Sequence, residues 1–168
     1  TIAQIQSLDE TTLTALGATQ LGALSAGQLA SLTIDQLPHL NATQLKALAP
    51  AQLGALTTTQ FASLSATQVR GFTNAQIAGL TPLQVSSLSN SQLNALSSPQ
   101  IAALGVAQLR LVSNEQLASL SATQTAALTA TQLKSLAPTQ IAGFTTTQIS
   151  ALSNINIASL SAKQVASL

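Results

Sequence analysis

Apolar residues recur along this chain at two fixed places in every eight. Numbering octads from Thr1, position 5 is Leu, Ile, Val or Phe in every unit except at Thr125, and position 8 is Leu everywhere except Phe72, Val112 and Phe144. A spacing of three places both on one face of a helix. The period holds from Thr1 to Leu168 without insertion or deletion, so twenty-one octads account for all 168 residues. Polar positions are as regular. Position 1 is Ser, Thr, Asp or Asn in seventeen octads, and position 4 is Gln in nineteen, with Thr12 and Asn156 as the departures. Ser or Thr followed three residues later by Gln is the capping box: the hydroxyl accepts from the third helical N–H, and the Gln side chain reaches back to the cap residue's own N–H. Thr33, Thr57, Ser65 and Thr129 stand as caps by this reading, with Gln44, Gln68 and Gln132 as box partners. Gly17 and Gly105 are acceptable substitutes at position 1. Ala49 and Ala137 are each followed by a proline, and Pro50, Pro82 and Pro138 all occupy a first helical position, where the missing N–H costs nothing.

Each octad therefore predicts one short helix of six or seven residues. A continuous helix is excluded because eight residues at about 100° each overshoot two turns by roughly 80°, so the apolar stripe would spiral around the rod. A strand is excluded by parity, since positions 5 and 8 would face opposite sides of a sheet. Helices this short do not persist alone in water and must be held by their neighbours. The predicted fold is an all-α, tight solenoid of twenty-one octads in a single array over residues 1–168. Its forty-two inward positions are filled mainly by Leu and Ile, and Leu48, Leu64, Phe72, Leu96, Leu136 and Phe144 represent them. Three or four helices per superhelical turn are favoured over two, because a linker of zero or one residue does not easily reverse direction. With three, seven turns at the usual helix spacing give a rod on the order of 60–70 Å.

Position 7 is Ala, Ser or Gly except at His39 and Leu111, which predicts close approach of neighbouring coils. Gly71-Phe72 and Gly143-Phe144 pair small with large, and Leu111-Val112 pairs large with small, which predicts that positions 7 and 8 share one packed space. Octad 33–40, TIDQLPHL, is the most irregular: Pro38 falls inside the helical span, where it would remove a bond to the Ile34 carbonyl. Thr125 is a core hydroxyl whose partner is predicted in the preceding turn. Segments 42–52 and 130–140 differ at only two places and lie eleven octads apart, which suggests block duplication.

Composition sharpens the picture. Charged residues are 5% of the chain and the net charge is +1, so nothing attracts nucleic acid or an acidic membrane surface. Hydrophobic content of 46% argues against disorder despite the simple alphabet. Cysteine is absent, which excludes a disulfide framework, and no apolar run reaches membrane-spanning length. The acids Asp9, Glu10, Asp35 and Glu115 fall at positions 1 to 3. The bases Lys46, Arg70, Arg110 and Lys134 fall at position 6, and Lys163 alone departs from this rule. That placement matches a helix dipole restarting every eight residues.

Candidate chemistry is sparse. Asp35 and His39 are spaced i, i+4, but no further His, Cys or acid supplies the remaining members of a catalytic triad or metal set, so no catalytic, metal or cofactor site is assigned. The glutamine row reads first as capping and second as a ladder between stacked coils. Threonine at position 3 in nine octads makes a hydroxyl row from which an ice- or glycan-binding face could be built. Both ends fall on octad boundaries without a polar capping repeat, which predicts a segment of a longer array with end faces open to continuing chain or to self-association, end to end or lateral.

The stretch LTATQLKSLAPTQIAGFT (128–145) resembles the short tandem-repeat tracts of very large secreted bacterial surface and adhesin-like proteins, and the likeness runs along the whole chain. It implies an exported, extracellular or cell-surface fibre, stalk or matrix component. On this reading the chain is a non-enzymatic structural rod, spacer or filament, with a binding module using the Thr/Gln/Ser face as the alternative.

Overall fold

The computed structural model describes all of residues 1–168 and is entirely helical. Twenty α-helices, from Ile2–Gln6 to Ala162–Val165, follow one another with a single 3₁₀ segment, Leu37–His39, among them. The helices are four to six residues long, shorter than the octad suggests, because two or more residues separate each from the next. In the middle of the chain Leu96, at position 8, has φ −65° and ψ 136°, and the next residue, Ser97, has φ −72° and ψ 159°. Two consecutive extended residues redirect the chain at this break, as at those after Leu104, Val112, Leu120, Leu136 and Leu152, and no residue anywhere has positive φ. Left-handed caps, the commonest way to end a helix, are not used.

Pro38 shows the local rule by exception. Octad 33–40 forms no α-helix; its proline leaves only the short 3₁₀ turn Leu37–His39. Thr33 and Gln36 nevertheless make the reciprocal cap, Gln36 N–H to Thr33 Oγ1 at 3.1 Å and Thr33 N–H to Gln36 Oε1 at 2.9 Å. The cap survives because both of its bonds lie ahead of the proline.

From Glu10–Ala15 onward, helices pack on the helix three octads away, as Pro82–Ser86 does on Val106–Leu111 and Ala66–Arg70 on Asn90–Ala95. Close contacts between successive coils join residues 25 to 31 apart, so one turn takes a non-integral number of octads between three and four. At about 28 residues per turn the array has about six turns, and a helix spacing of about 8–10 Å gives a rod of about 50–60 Å.

Thirty-three buried apolar side chains form one continuous cluster from Leu13 to Leu160. Leu48, Leu64, Phe72, Leu96 and Leu136 are 3–4% exposed and Phe144 is 8% exposed, all within it. The Phe61 and Phe72 rings stack at 5.9 Å. Thr125 occupies a fully buried position 5 and donates its hydroxyl to Ser121 O at 3.0 Å, so the core hydroxyl is satisfied locally.

Position 7 lies on the seam between coils. A Cβ added at Gly79 would sit 2.5 Å from Pro50 Cβ, twenty-nine residues earlier in the coil below, so only glycine fits there. The expectation that positions 7 and 8 share an interior space is corrected at Leu111 and Val112. Val112 is buried while Leu111 is half exposed, because position 7 follows the outer seam and only position 8 turns inward.

Leu96→Ala is expected to cost about 2–5 kcal/mol, because a cavity opens in a continuous core, and Leu96→Asp more than that. Leu111→Ala, on the half-exposed seam, is expected to cost less than about 1 kcal/mol. Thermal unfolding followed by far-UV circular dichroism checks both; equal effects at the two sites would contradict this assignment of inside and outside.

Candidate functional site

The break every eighth residue creates a polar problem. The carbonyl of each position-8 residue lies in the extended link, inside the packed wall of the solenoid, and no backbone N–H reaches it. A buried carbonyl without a donor costs about 1–3 kcal/mol, and there is one in every octad.

The position-4 side chain resolves it. Gln68 has its Oε1 accepting from Ser65 N–H at 2.7 Å, closing the capping box, while its Nε2 donates across to the coil below, to Leu40 O at 2.7 Å, Leu37 O at 3.0 Å and Pro38 O at 3.2 Å. Gln44 does the same from Asn41 N–H to Leu13 O and Leu16 O, both 2.8 Å. Gln132 joins Thr129 N–H to Ile101, Ala102 and Leu104 carbonyls. Cap oxygens complete the other half: Thr57 accepts from Gln60 N–H at 3.2 Å, Ser65 from Gln68 N–H at 3.1 Å and Thr129 from Gln132 N–H at 3.2 Å.

All seventeen position-8 carbonyls from Leu8 to Leu136 receive such a donor, at 2.5–2.9 Å, from the residue twenty-eight positions later. Fifteen of these glutamines and Asn156 are buried, and no buried side-chain polar atom is left without a partner. The row thus caps helices and also ties coils together, through backbone carbonyls rather than by amide stacking on amide.

The exceptions follow from reach. Asn156, one methylene shorter, donates to Leu128 O alone, and its Oδ1 accepts from the Ser153 hydroxyl rather than from the backbone. Ala49 and Ala137 offer no cap oxygen, yet Gln52 and Gln140 still hold their N–H groups at 2.6 and 2.9 Å. Thr12 sits in the first coil, where Asp9 caps its N–H at 2.8 Å and no carbonyl row lies beneath. The Thr12 hydroxyl and N–H hold the Asp9 carboxyl below its usual value. The contact therefore stabilises the fold at neutral pH and fades as pH falls through the lowered pKa.

Other candidate groups are dispersed. His39 does not meet Asp35; its Nδ1 lies 3.2 Å from Glu10 Oε1 in the coil below, at a half-exposed site. No three His, Cys, Asp or Glu side chains come together. Lys46, Arg70, Arg110 and Lys134 stand in the last turns of their helices, exposed to solvent. All nine position-3 threonines are exposed, but Ala75, Leu83, Ser91, Pro99, Ala107 and Glu115 interrupt their row for six octads. The single cavity is an open depression of about 270 Å³ on the last coil, lined by Phe144, Ile149 and Leu168 among others. No helix is long and apolar enough to cross a membrane.

Residues 74–106 match the family model described as the ALTTAQ repeat. This is a tandem-repeat protein. The six letters run parallel to Ala55–Gln60, ALTTTQ, and to Ala127–Gln132, ALTATQ, the segment that carries position 8, the break, the cap and the bridging glutamine. No curated protein matches the chain. A repeat-type helical fold of this kind points to a structural, non-enzymatic protein.

Gln76→Glu separates bridging from capping. The new carboxylate keeps an acceptor for Thr73 N–H but faces Leu45 O and Leu48 O with no proton to give, which is expected to cost about 2–4 kcal/mol at pH 7. Burial against carbonyls raises the folded-state pKa of that carboxyl, so the deficit is small below its unfolded value and grows as pH rises through and above it. Gln20→Glu, whose amide has no coil beneath, is expected to change stability by less than about 0.5 kcal/mol. Unfolding midpoints at pH 4 and pH 7 test both; equal losses at the two positions would mean that capping alone accounts for the row.

Proposed function

We propose that the chain is a stiff structural rod, a spacer whose work is length and the presentation of an uncharged hydroxyl- and amide-rich surface, outside the cell or at a bacterial cell surface. The observation that supports this most directly is the unbroken series of seventeen coil-to-coil bridges around one continuous core. Bending or stretching such a rod must break short, buried hydrogen bonds at every turn, so resistance is distributed along the whole length. The likeness of its octads to tandem-repeat tracts of large secreted surface proteins supports the location. The alternative of a regular binding face finds less support, because the threonine row lapses from Ala75 to Glu115.

A spacer tolerates changes in length where a site does not. Duplicating residues 41–96, seven octads or two coils, is expected to lengthen the particle by about 16–20 Å and to leave the unfolding midpoint unlowered. Small-angle scattering and electron microscopy of the lengthened chain check this. A particle that grows in width or loses its rod shape would overturn the spacer reading, and so would an activity abolished by bulky substitution of the position-3 threonines.

A further inference from the structure

We infer that two patches on the flank of the rod, an acidic one around Ile34 and a basic one around Leu83 and Leu111, dock on each other between copies of the chain, so that rods associate side by side. The inference rests on the rod reading and adds a partner to it.

The first observation is apolar. Between residues 3 and 154 the large apolar side chains left exposed are Ile34 at 49%, Leu83 at 62% and Leu111 at 49%. Position 7 of one coil lies over position 2 of the coil below, as Gly79 does over Pro50. In that register Leu111 stands over Pro82 and beside Leu83, on the packed helices Pro82–Ser86 and Val106–Leu111. Two leucines on adjacent coils thus make one outward ridge. Leu83 occupies a position where nine octads have threonine, and Leu111 one where nineteen have Ala, Ser or Gly. Neither fills the core, which is closed at this level by Val85, Leu88, Leu109 and Val112. The other patch carries Ile34 together with exposed Pro38 in the octad that forms no α-helix.

The second observation is charge. From Asp9 to Asp35 the chain has three acids and no Lys or Arg, whereas from Lys46 to Lys163 it has five bases and the single acid Glu115. Asp35 adjoins Ile34, and His39 of the same octad holds Glu10 beneath it, Nδ1 at 3.2 Å from Oε1. Arg110 adjoins Leu111, and its Nε donates to Ser135 O in the coil above at 3.4 Å, next to Lys134. No Lys or Arg has an acid partner within the chain, and Glu115, four residues beyond Leu111, pairs with none of them. Each patch therefore presents an aliphatic centre with charge at its margin, and the two margins have opposite sign. Docked on each other they bury the isoleucine against the leucine ridge and set carboxylates beside the guanidinium, while like patches repel. Every copy carries one patch of each sign at different levels of the rod, so the contact is heterologous and leaves a patch of each sign open at every step. Its area is small, which makes the association weak and sensitive to salt.

The test is sedimentation velocity of the chain over a wide concentration range, at about 20 mM and about 500 mM salt, with small-angle scattering for the particle cross-section. The natural chain is expected to form particles wider than one rod at low salt and to separate at high salt. Leu83→Thr with Leu111→Ala introduces residues that other octads carry at those positions, and it is expected to weaken association about tenfold with the circular dichroism unchanged. Arg110→Glu and Asp35→Arg, each alone, are expected to weaken it about three- to tenfold. Both changes in one chain exchange the charges between the patches and are expected to recover most of the loss, which carries the test should the leucine variant fold poorly. Association untouched by the leucine variant, a double charge variant no better than either single one, or a natural chain monomeric at low salt throughout would overturn the docking. So would particles that lengthen at constant width. A monomer whose scattering is not that of a rod counts against the spacer reading instead, so the two failures are distinct.

Discussion

The structure depends on what happens to one carbonyl in eight. Redirecting a chain every octad without glycine requires two extended residues in succession, and this strands the position-8 carbonyl between coils with no backbone partner. The residue that rescues it must also close the capping box of its own helix, so its side chain needs an acceptor and a donor at one tip, on a stem long enough to span two coils. Glutamine meets all three demands. Glutamate has the acceptors and the length but no donor, lysine has the donor but no acceptor, and asparagine, as Asn156 shows, is too short to serve both partners. A solenoid of helices this short is possible because one amide replaces two separate devices.

Coil spacing and pitch follow from that bridge. Position 4 reaches back twenty-eight residues to position 8 and thirty-one to position 5, which holds the coils at a turn that is not a whole number of octads. Helices of successive turns are therefore offset, and position 7 of one coil falls over position 2 of the coil below, where Gly79 meets Pro50. The same offset accounts for the small residues of the seam and for the half exposure of the one leucine placed there.

Much of this was legible in the octad. Apolar positions 5 and 8, the cap at position 1, the prolines that open helices and the disturbance at Pro38 are all local, and local rules read them correctly as helices around a core. The number of octads per turn is not local; it depends on how far an amide reaches across a coil boundary, which no residue type encodes. The burial of the glutamines was missed for a related reason. A capping box explains Ser65 and Gln68 completely, and the second reading, a ladder between stacked coils, looked for amide on amide rather than amide on backbone carbonyl. A signal was present all the same: the box accepts Glu as readily as Gln, yet Glu occurs at position 4 in none of the twenty-one octads. Excluding the equivalent cap was evidence that the amide's other atom was in use. The break, by contrast, could not be placed, because position 8 is apolar whether it ends a helix or lies beyond it.

A structure built from one repeated bridge has an energy that is nearly additive along its length. Each inner coil gains the same burial and the same bridges, whatever its index, and so the array has no preferred size. What it has instead is a direction. Amides always point toward the start of the chain and open carbonyls toward its end, because position 4 follows its cap and position 8 closes its octad. Segments 42–52 and 130–140, nearly identical in letters and eleven octads apart, can occupy equivalent coils since neither depends on anything beyond its neighbours above and below. Local irregularity is tolerated on the same ground. Octad 33–40 lost its α-helix to Pro38 and still passes the pattern on, because Gln36 reaches Leu8 O below it at 2.8 Å and Leu40 O receives Gln68 from above at 2.7 Å. What each unit must preserve is the pair of polar contacts through which it meets the next coil.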